Sequence, residues 1–384
     1  MDPDASSILA STSVIITNKS ESCIDIREFL YQNESDLTLE PITMVTFGFI
    51  YSLFVTLGVI GNLLVIISVY QNRSLQSVRN IFIVSLSVSD IVVSIVSGSV
   101  TPISAFSKTW LFGANMCYFV PLIQGTSLCF STLTLTAIAI DRFILIIFPA
   151  KKPIQMSMAL KMIFLNCSIA ASVSFPMFLK QRLSQFQNFC GHFCAEDWGN
   201  DLYARSVYGT IVFILQFVIP LIIISFCYLM ISLKLKRGML VRNSKNEELI
   251  MTEQRKAALK RRMRTNRMLI GMVGVFFCCW MPSVVFNFLR DYTWLPDYVR
   301  HQEYLFGVIT HCISMSSTIW NPCLYALMNE QFRIAFVSLL NNLKTTDKKK
   351  TRHCSRLMSN TTLLKSHSNT TKNEIGSDYQ TNML

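Results

Sequence analysis

The residues of this chain that could do chemistry are ionisable and strongly polar side chains set inside long apolar runs. Asp90 lies midway along one run, in Leu86-Ser87-Val88-Ser89-Asp90, and Asp141-Arg142 closes the next. A charge at the centre of a bilayer costs about 2.5–3.5 kcal/mol on insertion scales, so such residues are candidates for a functional role. Taken singly, Asp90 would equally suit a helix-packing hydrogen bond, and Asp141-Arg142 an interfacial ion pair. Gln124, Gln216, Asn287 and His311 stand in the outer halves of the third, fifth, sixth and seventh runs. Side chains this polar must face the bundle interior or water. Four at similar depth on four helices point to a polar pocket open on one side; any one alone could be an interhelical hydrogen bond. Pro220, Pro282 and Pro322 fall inside the fifth, sixth and seventh runs, where each removes a backbone hydrogen bond and kinks its helix. No HExxH, GxSxG or phosphate loop is present, so nothing reads as an enzyme.

The elements that must position these groups are membrane helices. Only 15% of the residues are charged and 51% are hydrophobic, against about 25% charged in a soluble domain. Seven runs, at 42–70, 79–106, 114–147, 158–179, 204–236, 257–290 and 302–327, reach the roughly 20 residues that a bilayer requires. The fourth and seventh are the weakest on hydropathy. The net charge of +12 is not a nucleic-acid footprint, because it gathers in alternate connections and in the tail. Arg73 and Arg79, then Lys151, Lys152 and Lys161, then the cluster from Lys234 to Arg267, then Lys348 to Arg352 mark the cytoplasmic side. The acidic N-terminal segment is therefore expected outside. The fold expected is an all-α membrane protein, a seven-transmembrane helix bundle at the plasma membrane. Residues 1–41 form a flexible extracellular segment, 42–329 the bundle, 330–341 a short amphipathic cytoplasmic helix against membrane lipid, and 342–384 a disordered cytoplasmic tail. The first residues lack the basic start and apolar core of a cleavable signal. Asn18 and Asn33 head Asn-X-Ser triplets on the expected outer side and are glycosylation candidates.

Twelve cysteines are present without paired CxxC spacing. Cys23, Cys117, Cys190 and Cys194 fall on the oxidising side. A bridge from Cys117 to the loop before the fifth run would pin that loop over the bundle, with Cys194 the first choice of partner and Cys190 the alternative. A second bridge, Cys23–Cys190, follows from the first choice.

At this point the residues resemble a family. Gly61-Asn62, Leu86 to Asp90, Trp110-Leu111-Phe112-Gly113, Cys117, Asp141-Arg142-Phe143 with Pro149, Pro220 with Tyr228, Cys279-Trp280-Met281-Pro282 and Asn321-Pro322-Cys323-Leu324-Tyr325 follow one another in order. Together they are similar to the rhodopsin-like class of G-protein-coupled receptors over nearly all of 42–341. The resemblance implies that Arg142 leaves Asp141 on activation to meet a heterotrimeric G protein. It makes Trp280 a toggle beneath the ligand with Phe276 a turn deeper, and Tyr228 and Tyr325 supports for the opened cleft. It also makes Asp90, Ser131, Ser317 and Asn321 an allosteric sodium pocket, with no other cofactor. Three departures stand out: no Trp near Asn166 or Cys167, Thr132 at a normally apolar packing position, and Arg262 where some receptors carry an acid that locks Arg142.

Within the class, Gln124 stands where amine receptors carry an Asp. The positions Thr101, Gln124, Gln216, Asn287, Asp291 and His311 instead resemble the neuropeptide Y/neuropeptide F receptor group. That resemblance implies a peptide ending in Arg-Phe-amide or Arg-Tyr-amide. Asp291 would pair with the peptide arginine, Gln124, Thr101 and His311 with the terminal amide, and Asn287 and Gln216 with the adjoining polar groups. It further implies coupling to the inhibitory class of G protein, and a tail phosphorylated by a receptor kinase to recruit arrestin. The alternatives are a rhodopsin-like receptor for another peptide class and, more remotely, a membrane transporter, against which no internal repeat is visible.

Overall fold

The computed structural model describes residues 23–33, 36–150, 152–186, 188–199, 202–244 and 253–341. Asn18, the phosphorylation candidates of the tail and the side chain of Arg262 lie outside the described residues. Among these residues are seven long helices. The first is Pro41–Gln71, the second Val78–Ser107, the third Gly113–Ile147 and the fourth Met156–Lys180. The fifth runs through Leu202–Phe213 and Ile219–Ser244, the sixth is Glu253–Asp291 and the seventh Glu303–Met328. The first six contain stretches long and apolar enough to cross a membrane. The seventh falls below that level because it carries His311, Ser314, Ser316, Ser317, Thr318 and Asn321. Phe49, Phe164 and Ile222 remain exposed on three different helices. An apolar surface that extends across helices suits lipid and not water.

The helices close a ring. The first packs on the second and seventh, the seventh on the sixth, the sixth on the fifth, and the third on the second, fourth and fifth. Small residues bring the first helix in close. A Cβ on Gly58 would lie 2.7 Å from Thr318 Oγ1 and 3.0 Å from Ser94 Oγ, and one on Gly61 would lie 3.0 Å from Pro322 Cγ. Between them Asn62 donates from Nδ2 to the carbonyls of Gly58 and Thr318, both at 2.9 Å. Close backbone approach of this kind replaces the hydrophobic drive that lipid removes. Gly58→Val is expected to cost about 1–3 kcal/mol by overpacking, and a melting curve of the detergent-solubilised protein no lower than that of the wild type would refute the contact.

One local rule bends the fifth helix. Pro220 has no N–H for the carbonyl of Gln216 four residues back. The backbone answers with a π turn over Ile214–Val218, in which Ile219 N–H bonds the carbonyl of Ile214. Gln216 is turned inward by it and is buried.

At one end of the bundle a hairpin of β1, Gln181–Ser184, and β2, Phe193–Glu196, pairs antiparallel with Leu183 opposite Cys194. Two disulfides anchor this region: Cys117–Cys194 ties β2 to the third helix, and Cys23–Cys190 ties the N-terminal segment to the same loop. Ile24 extends the second tie through backbone bonds to Asn188 and Cys190. A short helix, Ile26–Asn33, follows. Asp36 then meets Lys108, 2.5 Å away, in a pair whose side chains are both almost wholly buried. Residues 23–33 and 36–40 are thus tied at both ends, by the Cys23–Cys190 disulfide and by the buried Asp36–Lys108 ion pair. Residues 330–341 form a further helix in a separate compact unit, with the rings of Phe332 and Phe336 edge-on at 5.9 Å.

Candidate functional site

A cavity of about 290 Å³ lies between the third, fourth, fifth and sixth helices, with Glu196 of the hairpin on its wall. Its wall includes Gln124 from the third helix, Gln216 from the fifth, and Asn287 and Asp291 from the sixth, with Trp280 among its deepest residues. These are four of the six ligand candidates. Thr101 and His311 are not part of the wall. They stand behind Gln124 in a hydrogen-bonded relay centred on Ser97. Ser97 Oγ donates to Gln124 Oε1 at 2.8 Å and lies 3.4 Å from Thr101 Oγ1 and 3.2 Å from His311 Nε2. The other ring nitrogen, His311 Nδ1, is 2.8 Å from the hydroxyl of Tyr51. Both imidazole nitrogens thus have partners, and the ring sits against Tyr51 with centroids 5.7 Å apart. Ser97 thus links Thr101 and His311 to the carbonyl oxygen of Gln124 on the cavity wall.

Asp291 is set at the outer end of the wall. Ser206 Oγ donates to its backbone carbonyl at 2.8 Å, and Thr210 Oγ1 lies 2.8 Å from the hydroxyl of Tyr292. These contacts latch the fifth and sixth helices together. Gly209 allows the approach: a Cβ there would lie 3.1 Å from Asp291 Oδ2. The carboxylate is not alone. Arg205 Nε is 3.1 Å from Asp291 Oδ1 and 3.4 Å from Glu196 Oε2 on β2. Reading the sequence alone missed Arg205 and Glu196. The available signal was an arginine within the first turn of an apolar run, a position that flank counting assigns to solvent.

The deep end of the cavity meets a second, smaller one. Trp280 and Leu128 line both, so they form the partition. The smaller cavity, about 10 Å³, is lined by Asp90, Ser131, Ser317 and Asn321. That is room for about one water-sized particle. Asn321 Nδ2 donates to Asp90 Oδ2 at 2.9 Å. The donor set is all oxygen and contains one carboxylate, which fits a small hard cation. Phe276 borders the same cavity, its ring 6.3 Å from that of Trp280. Thr132, the unusual residue at the packing position, is fully buried but satisfied: its hydroxyl donates to the carbonyl of Leu128 at 2.7 Å. This back-bonding removes the polar cost of a hydroxyl there.

Toward the opposite end, Arg142 bonds the carboxylate of its neighbour Asp141 through Nε at 2.9 Å and through a second guanidinium nitrogen. Tyr228 and Tyr325 are buried on the fifth and seventh helices. Pro282 and Pro322 lie inside the sixth and seventh helices.

The family described as 7 transmembrane receptor (rhodopsin family) matches residues 61–325, more than two thirds of the chain. The chain belongs to this family. Its members are receptors and not enzymes. Neuropeptide receptor 3 of Caenorhabditis elegans is 33% identical over 324 residues, covering 82% of this chain and 84% of that protein. Neuropeptide Y receptor type 6 of Mus musculus is 32% identical over 305 residues, covering 76% and 79%. Among solved structures, squid rhodopsin superposes with a TM-score of 0.65 at 26% identity, covering 79% of this chain and 87% of that one. As a rhodopsin-family receptor the chain is a multi-pass membrane protein, and the apolar belt of the bundle is its lipid-facing surface.

Proposed function

We propose that this receptor binds a C-terminally amidated neuropeptide of the Arg-Phe-amide or Arg-Tyr-amide type and passes the signal to a heterotrimeric G protein of the inhibitory class. The observation that carries the reading is one cavity with a carboxylate, Asp291, at its mouth and three carboxamides, Gln124, Gln216 and Asn287, along its depth. A carboxylate suits a guanidinium because the two planar groups match in charge and geometry. A neutral peptide amide needs both donors and acceptors, which Gln and Asn supply. The relatives' names, neuropeptide receptor and neuropeptide Y receptor, agree with this chemistry.

In this reading the disulfide end faces outward and the Arg142 end faces the cytoplasm. Ligand pressing on Trp280 disturbs the partition it shares with the Asp90 pocket. A sodium ion held by Asp90, Ser131, Ser317 and Asn321 would supply a fixed positive charge that keeps these helices together in the inactive state. The chain's own part is to hold that oxygen set in place through the Asn321–Asp90 bond. Kinks at Pro220, Pro282 and Pro322 offer the hinges through which the cytoplasmic ends of the helices move. Arg142 then exchanges Asp141 for the G protein. The tail is read as the substrate of a receptor kinase and the docking segment for arrestin, and 330–341 as a helix lying on membrane lipid.

The test is nucleotide exchange on purified inhibitory G protein, driven by the receptor in membranes and challenged with amidated Arg-Phe and Arg-Tyr peptides and their free acids. Exchange stimulated by the amides and at least about tenfold less potently by the acids is expected, since one mismatched buried polar contact costs about 1–3 kcal/mol. Equal potency or a preference for the acids would reject the amide pocket, and solute flux without exchange would reject the receptor mechanism.

A further inference from the structure

Resting on that reading, we propose that Arg205 is a built-in stand-in for the ligand's arginine. It occupies Asp291 in the empty receptor and passes to Glu196 when a cationic peptide binds, which makes Arg205 and Glu196 determinants of how strictly the site demands a guanidinium. Three observations lead there. A single nitrogen, Arg205 Nε, sits between two carboxylates, 3.1 Å from Asp291 and 3.4 Å from Glu196. Neither contact is aligned as a hydrogen bond, and Asp291 Oδ1 is buried with no hydrogen bond among the described residues. Glu196 is held ready by a fixed donor, since Trp198 Nε1 bonds its Oε2 at 2.9 Å.

The consequences follow from charge and geometry. Asp291, Glu196 and Glu303 face Arg205 and Arg290, with Arg290 3.9 Å from both Asp291 and Glu303, so the five side chains sum to −1. The mouth of the ligand-free cavity thus carries a net negative charge that a ligand arginine neutralises, provided that Arg205 has another carboxylate to face when it gives up Asp291. Glu196 provides the place, on the hairpin strand that the Cys117–Cys194 disulfide fixes over the bundle. The existing Arg205–Asp291 contact is electrostatic but poorly directed. A ligand guanidinium that reaches Asp291 with paired N–H groups forms the better bond. A lysine cannot offer that fork, so it competes less well against Arg205. Site occupancy by an internal group reduces apparent affinity by the fraction of time it holds the site.

The experiment measures competition binding of an amidated Arg-Phe peptide and of the same peptide with citrulline for arginine, on wild type, Arg205→Gln, Glu196→Gln and Arg205→Gln/Asp291→Asn. The readout is the ratio of the citrulline Kd to the arginine Kd within each receptor, which does not depend on how much receptor folds. With Arg205→Gln the ratio is expected to rise roughly tenfold, because Asp291 no longer has a competitor. With Glu196→Gln it is expected to fall by a similar factor, because Arg205 keeps Asp291. The gain should vanish in the Arg205→Gln/Asp291→Asn receptor. A ratio that moves in neither single variant overturns this proposal while leaving the peptide reading intact. A wild-type ratio of one overturns both, since Asp291 would then not meet an arginine at all.

Discussion

Replacing Asp291 by alanine is expected to weaken binding of an amidated Arg-aromatic peptide by about 2–5 kcal/mol, the usual cost of truncating one partner of a buried charge pair. Every 1.4 kcal/mol is tenfold, so the shift runs from about thirtyfold to several thousandfold in Kd. The large value has two sources. The ligand arginine loses its acceptor, and it must approach Arg205 and Arg290 with only Glu196 and Glu303 left to offset them. Asp291 is largely enclosed by these groups, its side chain 14% exposed, so solvent screens the loss only in part. Asp291→Asn, which keeps the shape, should lose most of the same affinity if charge is the agent. Competition binding on washed membranes measures the shift. A dose–response curve unchanged by either substitution would remove Asp291 from the ligand site.

Lys108→Met is expected to destabilise the receptor by about 3–5 kcal/mol, because it leaves the Asp36 carboxylate buried without its counter-ion. Lys108 is tied at three points: 2.5 Å from Asp36 Oδ2, 2.7 Å from Thr38 Oγ1, and 3.5 Å from the centre of the Tyr304 ring. The double variant Lys108→Met/Asp36→Asn should recover most of the loss, since the pair as a whole contributes little once its desolvation is counted. Acid dependence separates the cases. Burial pushes the Asp36 carboxyl up, but the hydrogen bonds from Lys108 and from Thr38 outweigh it and leave it below the ordinary 3.8. A depressed carboxyl contributes stability that is present above its unfolded value and lost as pH falls through the folded one, so the wild type should lose this share only below about pH 4. Without Lys108, burial, the largest single influence on this carboxyl, is opposed only by the two Thr38 hydrogen bonds, and the carboxyl is expected to rise above its unfolded value. That variant should then become relatively more stable as pH falls from about 6 to 4, the opposite slope. Melting temperatures of detergent-purified protein across this range provide the measurement; parallel slopes would show that the pair does not govern the fold of the N-terminal segment.

These two sites bear on each other through the hairpin loop. The N-terminal segment is anchored at Cys190, and Glu196 six residues later faces Arg205 at the cavity mouth. The ties at Cys23 and Ile24 thus join the N-terminal segment to the loop that carries Glu196.

Much of the receptor was legible in its amino-acid order, for reasons that act locally. Bilayer thickness dictates the length of each apolar run, and the basic connections dictate which runs share a side. The seventh helix was weak on hydropathy because it spends its positions on the polar groups that the bundle encloses. Pro220 dictated a kink in the fifth helix, since a missing N–H needs no partner elsewhere to be felt, and the fold takes it up as the π turn at Ile214–Val218. The compartment dictated that Cys23, Cys117, Cys190 and Cys194 pair among themselves, with two choices left for Cys117.

Tertiary structure decided what depends on distance through space. It chose Cys194 for Cys117 and so gave Cys190 to Cys23, 167 residues away in sequence. It divided the six ligand candidates, placing Gln124, Gln216, Asn287 and Asp291 on one cavity wall and turning Thr101 and His311 into supports behind it. It set Arg205 beside Asp291 although 86 positions separate them (291 − 205), a meeting that no run, period or motif encodes. Whether a helix spans lipid follows from its composition, but which charge meets which carboxylate follows from where two helix ends and a hairpin converge.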